Sequence, residues 1–169
     1  LEEAQTINNV SKIISVDDEK YANFLAEDMS SLVIGIANNY KYIMAPATTF
    51  GKNLMPRISA KLDCQQISDI ISVESDDTFK RPIYAGSCIA TVKSLDEIKV
   101  ITVRSTAFDP VETSSSGIEI DARDASDASN NNEFVTDEIA KSERGERTST
   151  KMVIDGGRGI QSGEAVHLL

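Results

Sequence analysis

The sequence predicts an α/β fold of three layers, built on a mostly parallel sheet with antiparallel strands at its edge. Three observations predict it. The opening segment alternates β-branched runs with apolar residues at helical spacing. From Ile67 the helical spacing gives way to short β-branched runs separated by Asp, Gly and Lys-Ser turns. Near the end, the apolar run Met152 to Ile154 leads into Gly156-Gly157-Arg158-Gly159 and a helix-like stretch.

Leu1 to Asn9 (LEEAQTINN) reads as the end of a helix. A parallel α/β sheet ordinarily begins with a buried strand. The domain is therefore expected to start after its first βα unit, with an open sheet edge and apolar surface beside it. Lys12 to Val16 (KIISV) is a buried strand. Phe24, Leu25, Met29, Leu32, Val33, Ile36 and Tyr40 then describe a helix with one core face. Tyr42 to Ala45 is a second strand, stopped by Pro46, and Thr48 or Thr49 caps the next helix. In that helix Phe50, Leu54, Ile58 and Leu62 recur every fourth residue. Strand, helix, strand, helix implies parallel pairing with crossover helices.

Ile70 to Val73, Pro82 to Ala85, Ile89 to Lys93 and Val100 to Arg104 are expected to run back and forth at one edge or face, making the sheet mixed. Val111 to Asn132 is rich in Ser, Asp and Asn and reads as a mobile surface loop. Glu133 to Ser142 is a late strand or a short helix, and Glu143 to Arg147 a hinge before the final strand.

Seventeen bases against 27 acids give a net charge of −10, which argues against nucleic acid or an anionic membrane as main partner. The acidity is late: residues 109–150 hold eleven acids and four bases, residues 1–108 fourteen and eleven. No run approaches the length of a transmembrane segment. Cys64 and Cys88 form no CxxC and have no His nearby, so two reduced, buried thiols are expected.

Phe50-Gly51-Lys52-Asn53 places Gly-Lys near a helix start but is not a phosphate loop. That motif needs glycine where Pro46 stands and Ser or Thr where Asn53 stands. Gly51 is read as permitting close helix packing, and Lys52 as a solvated or partner-facing charge. Gly157-Arg158-Gly159-Ile160-Gln161-Ser162-Gly163 follows a strand and precedes a helix, as a dinucleotide turn does, with G-x-G-x-x-x-G spacing. Arg158 suits a pyrophosphate or an electron-rich ring. His167 is the single histidine, so no Ser-His-Asp or Cys-His arrangement can be assembled on it with a partner in view. Asp17-Asp18 and Asp76-Asp77 read as caps or turn residues. Asp121, Asp124 and Asp127 resemble a cation cluster by count alone.

Three stretches together resemble one family. Phe50 to Arg57 (FGKNLMPR) resembles its FGKNLLPR-type helix. Arg81 to Gly86 (RPIYAG), with Ala90 to Lys93 (ATVK) and Val100 to Arg104 (VITVR), resembles its RxIYAGN, TVK and VRGT hairpin and strand. Gly156 to Gly159, with Ser162-Gly163-Glu164, resembles its GGRGLKSGE turn. The family is the α subunit of electron transfer flavoprotein, and the likeness runs from about Ile13 to Leu169 outside the acidic loop. Ser87 stands in place of the Asn of YAGN and Ser105 in place of the Gly of VRGT, a change that matters if Ser105 needs positive φ.

The resemblance implies an electron carrier rather than a substrate-converting enzyme. Residues 1–149 would be the N-terminal α/β domain and 150–169 the first strand, turn and helix start of a Rossmann-like FAD-binding domain. Arg158 would lie beside the FAD, with Gly157 and Gly159 letting the backbone approach it. The partners implied are a β subunit, flavin dehydrogenases of the acyl-CoA type and a membrane quinone reductase, in the mitochondrial matrix or the bacterial cytoplasm. Two other classes fit the residues less fully: a nucleotide-binding α/β module, which lacks a phosphate loop in residues 1–108, and a structural assembly domain.

Overall fold

The computed structural model describes residues 1–114, 117–127, 132–137, 154 and 160. The chain divides into two compact units, Leu1–Asp137 and Glu138–Leu169. All described helices and strands lie in the first.

Strand β1 (Lys12–Ser15), helix α1 (Ala26–Ala37), strand β2 (Tyr42–Pro46) and helix α2 (Thr49–Lys61) follow in the expected order. Phe24 and Tyr40 fall outside α1. Phe24 instead adopts φ 50° ahead of the helix and meets Phe50 edge to face at 6.1 Å between ring centres. Next come β3 (Gln66–Ile70), β4 (Ser72–Val73), β5 (Thr78–Ile83), β6 (Cys88–Lys93), β7 (Lys99–Val103) and β8 (Glu119–Ala122).

The central sheet has the order β2-β7-β3, all parallel, with Met44 and Ile67 both registered on Ile101 of β7. Alternation along β7 builds the two cores. Val100 joins Ala26, Leu54, Met55 and Ile58 of the helices. Ile101, one residue on, joins Ile67, Ile70 and Phe79 on the opposite side. The three layers are therefore helices, parallel sheet and a second, antiparallel sheet of order β4-β5-β6. That second sheet grows from the edge strand β3, which continues through Ile71 into β4, with the Ile71 N–H bonded to the Lys80 carbonyl at 2.8 Å.

Four expectations need correction. Val100 to Arg104 does not run back and forth at an edge: as β7 it is the middle strand of the parallel sheet, buried on both faces. A short β-branched run reads alike in either setting, and only long-range pairing decides between them. Val111 to Asn132 is not all loop. Glu119–Ala122 forms β8, parallel to β1, and an isolated bridge joins Ile7 to Thr113. Its strand signal is the alternation Ile118, Glu119, Ile120, Asp121 within an acidic composition. Ile118 is buried, while Lys12 pairs with Asp121 at 3.0 Å and Glu119 at 3.7 Å. Further on, the Ser126 N–H donates to the buried Tyr21 hydroxyl at 3.1 Å. Leu1 to Asn9 holds one 3-10 turn, Ala4–Thr6, and then the Ile7 bridge rather than a helix end. Cys88 is exposed and Cys64 half-buried; both thiols are free.

Residues 132–137 carry neither helix nor strand; the rest of the Glu133 to Ser142 segment and the hinge at Glu143 to Arg147 lie outside the described residues. The β1-β8 pair is separate from β2-β7-β3, although α1 carries the chain from β1 to β2. A cavity of about 450 Å³ lies against α1, lined by Ile14, Val16, Met29, Leu32, Val33 and Ile36 among others.

The turn entering β5 supplies a pH prediction. The Asp77 carboxylate accepts from Thr78 Oγ1 at 2.8 Å and Ser75 Oγ at 3.0 Å, and it pairs with Lys93 Nζ at 3.1 Å. The Thr78 hydroxyl, then Lys93 and Ser75, hold its pKa down at about 2. A depressed carboxylate stabilises the fold above its unfolded pKa of roughly 4, and that contribution vanishes as pH falls through about 2. Asp77→Asn should therefore lower the thermal midpoint at neutral pH, while the two curves converge towards pH 2. Parallel curves throughout would remove Asp77 from the acid response.

Candidate functional site

Several motif residues within the described region serve layer packing. At the carboxyl end of β2 the chain turns into α2, where Thr48 Oγ1 accepts the Gly51 N–H at 3.3 Å as N-cap. A Cβ on Gly51 would sit 2.0 Å from the Pro46 carbonyl oxygen, so only glycine lets the helix start this close to the strand end. The expected role of Gly51 in close packing is thus given by geometry. The same geometry fills this helix entry with protein: the Gly51 amide is engaged by Thr48 and the Lys52 N–H by the Thr48 carbonyl at 2.9 Å. Lys52 is exposed. These residues do not build a phosphate cradle.

Further along α2, Arg57 Nη2 reaches Glu27 Oε1 of α1 at 2.5 Å, fastening the two helices beside their shared core. Glu27 is the more sheltered partner, its side chain 12% exposed. Pro56 lies within α2 without ending it.

The hairpin motif forms β5 and β6, paired from Thr78↔Lys93 to Ile83↔Cys88. Its tip is held by three successive left-handed residues, Tyr84 (φ 49°), Ala85 (φ 53°) and Gly86 (φ 91°). This conformation is unfavourable for Tyr and Ala, and it leaves the Tyr84 ring 79% exposed. Ser87 follows at φ −67°. Ser105 lies in the 3-10 turn Ser105–Ala107 and is not among the positive-φ residues, so the serine in the glycine's place carries no left-handed strain.

One pair escaped the sequence reading. Asp69, at φ 59°, sits in the irregularity between Ile67 and Ile70 of β3. Its N–H donates to buried Thr102 Oγ1 at 2.8 Å, and its carboxylate takes both Nε (3.1 Å) and Nη2 of Arg104. This fork fixes the ends of β3 and β7 together, and it raises the Arg104 pKa. A lone Asp within ISDII gives no sign in sequence that its backbone is left-handed.

The residues expected at the flavin, Gly157, Arg158 and Gly159, lie outside the described residues. Asp18 accepts the Lys20 N–H at 3.0 Å as a cap, and Asp77 is the turn residue described above. Asp121 is engaged by Lys12 and Arg123. Among the described residues no group of three His, Cys, Asp or Glu side chains could hold a metal. No described helix is long and apolar enough to cross a membrane.

The fold and these contacts define an α/β domain in which Gly51 seats helix on strand, Arg57 fastens helix to helix, and Arg104 ties β7 to β3. The electron transfer flavoprotein domain model matches residues 1–128. The chain belongs to that family. It is 45% identical over 168 residues to the electron transfer flavoprotein subunit alpha of Pseudomonas aeruginosa, covering 99% of this chain and 54% of that protein. The Paracoccus denitrificans subunit alpha is 41% identical over 168 residues, with the same coverages. The probable mitochondrial subunit alpha of Caenorhabditis elegans is 35% identical over 170 residues, covering 99% and 51%. The chain spans about half the length of the curated relatives it matches.

Proposed function

We propose that these residues act as part of the α subunit of an electron transfer flavoprotein, which binds FAD together with a β subunit. The observation that carries this reading is the 45% identity across 99% of the chain to a protein named as such a subunit. The motif Gly156 to Glu164 supports it from the sequence. The flavin supplies the redox chemistry, and the protein supplies its position and electrostatics. In this reading the α/β domain of residues 1–149 is a scaffold and subunit-contact domain, and residues 150–169 open the FAD-binding domain. Arg158 contributes a fixed cation at the flavin or its pyrophosphate, and Gly157 and Gly159 leave room for close backbone approach.

The donors are flavin dehydrogenases of the acyl-CoA type and the acceptor is a membrane quinone reductase, with the protein in a mitochondrial matrix or a bacterial cytoplasm. The net charge of −10 makes docking with such carriers dependent on salt.

The test is a full-length subunit produced together with its β subunit. It should purify with FAD, and Arg158→Ala should weaken FAD affinity or shift the flavin potential. Unchanged affinity and potential in that variant would overturn the role given to Arg158.

A further inference from the structure

The inner face of the antiparallel sheet holds a cation that makes no ion pair among the described residues. Side chains alternate along β5, so Lys80 points outward while Phe79 and Arg81 share the side facing the parallel sheet. The cations of the outer face are matched: Lys80 pairs with Glu74 at 3.1 Å and Lys93 with Asp77 at 3.1 Å. Arg81 pairs with no carboxylate among the described residues, and its Nε is shielded from solvent without a hydrogen-bond partner.

A second unmet group lies on the same cavity. Ser94 follows β6, is 9% exposed, and its Oγ is buried without a partner. Arg81 and Ser94 both line a cavity of about 440 Å³, together with Gln65, Gln66, Val92 and Asp96. Asp96 brings a carboxylate to the same lining, with its Oδ2 accepting the Gln65 N–H at 2.9 Å and no ion pair to Arg81. Buried polar groups in folded proteins almost always find partners in protein, water or a bound group, so two such groups on one cavity make it a candidate polar site. Arginine is a donor with no acceptor capacity, and a hydroxyl can donate as well. The complement of this pair is an acceptor carrying negative charge, held against the guanidinium fork.

We propose that this cavity is an oxyanion site, taking the carboxylate or phosphate group of a small molecule, with Arg81 as its principal ligand and Ser94 as a second donor. The proposal does not rest on the family reading. The cavity exceeds a single oxyanion, leaving Val92 and its neighbours to contact the rest of the molecule.

The test uses the 169-residue chain with inorganic phosphate and acetate as probes, each compared with sodium chloride at equal ionic strength. The thermal midpoint should rise with the logarithm of probe concentration beyond the chloride control, as ligand linkage requires. Arg81→Met, which keeps the length and removes the donors, should abolish that rise while leaving the midpoint without probe unchanged or higher. Ser94→Ala should reduce apparent affinity several-fold. A response to phosphate alone assigns a phosphate ligand, to acetate alone a carboxylate, and to both an unselective oxyanion site. Broadening of the phosphate 31P resonance by wild-type protein, and its absence with Arg81→Gln, gives a readout independent of stability. No response to either probe beyond chloride, or one that persists in the Arg81 variants, would overturn the proposal.

Discussion

Gly51→Ala should destabilise the chain by about 3 kcal/mol, although alanine is the better helix former. In an open helix the same change would gain roughly 1 kcal/mol. Here the new Cβ would stand 2.0 Å from the Pro46 carbonyl oxygen and 3.2 Å from its carbon, and both are backbone atoms unable to swing aside. Relief requires α2 to move away from β2, which opens the core of Leu54, Met55, Ile58 and Val100. Gly35 of α1 is the control, because a Cβ there meets nothing within 4 Å. Gly35→Ala should be neutral or slightly stabilising. Urea unfolding followed by circular dichroism compares the two. Equal midpoints for both variants would refute the steric reading of Gly51.

Phe79→Ala should cost about 3–5 kcal/mol, the range for removing a buried aromatic ring. Phe79 is 1% exposed and packs against Ile67, Ile70 and Ile101, so it is the principal contact of the antiparallel sheet with the parallel one. Its loss should be felt unevenly. Amide exchange should accelerate most in β5 and β6, and least in β2, which packs with the helices on the other core. Phe79→Leu should recover most of the loss by refilling the space. A uniform acceleration across both cores would mean that the layers unfold as one unit and that Phe79 does not couple them selectively.

These effects sit where sequence and structure agree best. The β1, α1, β2, α2 order was legible because strand and helix periodicities differ and because Pro46 and Thr48 mark the change between them. Gly51 was legible as a packing glycine once the phosphate-loop spacing failed at Pro46 and Asn53. The hairpin of β5 and β6 was visible in its β-branched runs, although β5 begins at Thr78, ahead of the expected Pro82. Long-range order was not legible. The residues VITV suit a central parallel strand and an antiparallel edge equally, and nothing local shows that β7 lies between β2 and β3. β8 was hidden by averaging, since two isoleucines among acids vanish in a composition window. Asp69 and Arg104 were hidden because left-handed backbone at a non-glycine residue is imposed by its surroundings. The orphaned Arg81 had a signal that was not used: it stands two residues from Phe79, on the inward side of one strand.

In the reading proposed above, the α/β domain is a scaffold and the flavin contact of these residues is the turn at Arg158. The most direct test is the ratio of flavin to protein in the purified 169-residue chain, read from flavin absorbance near about 450 nm after incubation with FAD and desalting. The ratio should stay far below one. A stoichiometric yellow protein would contradict this reading.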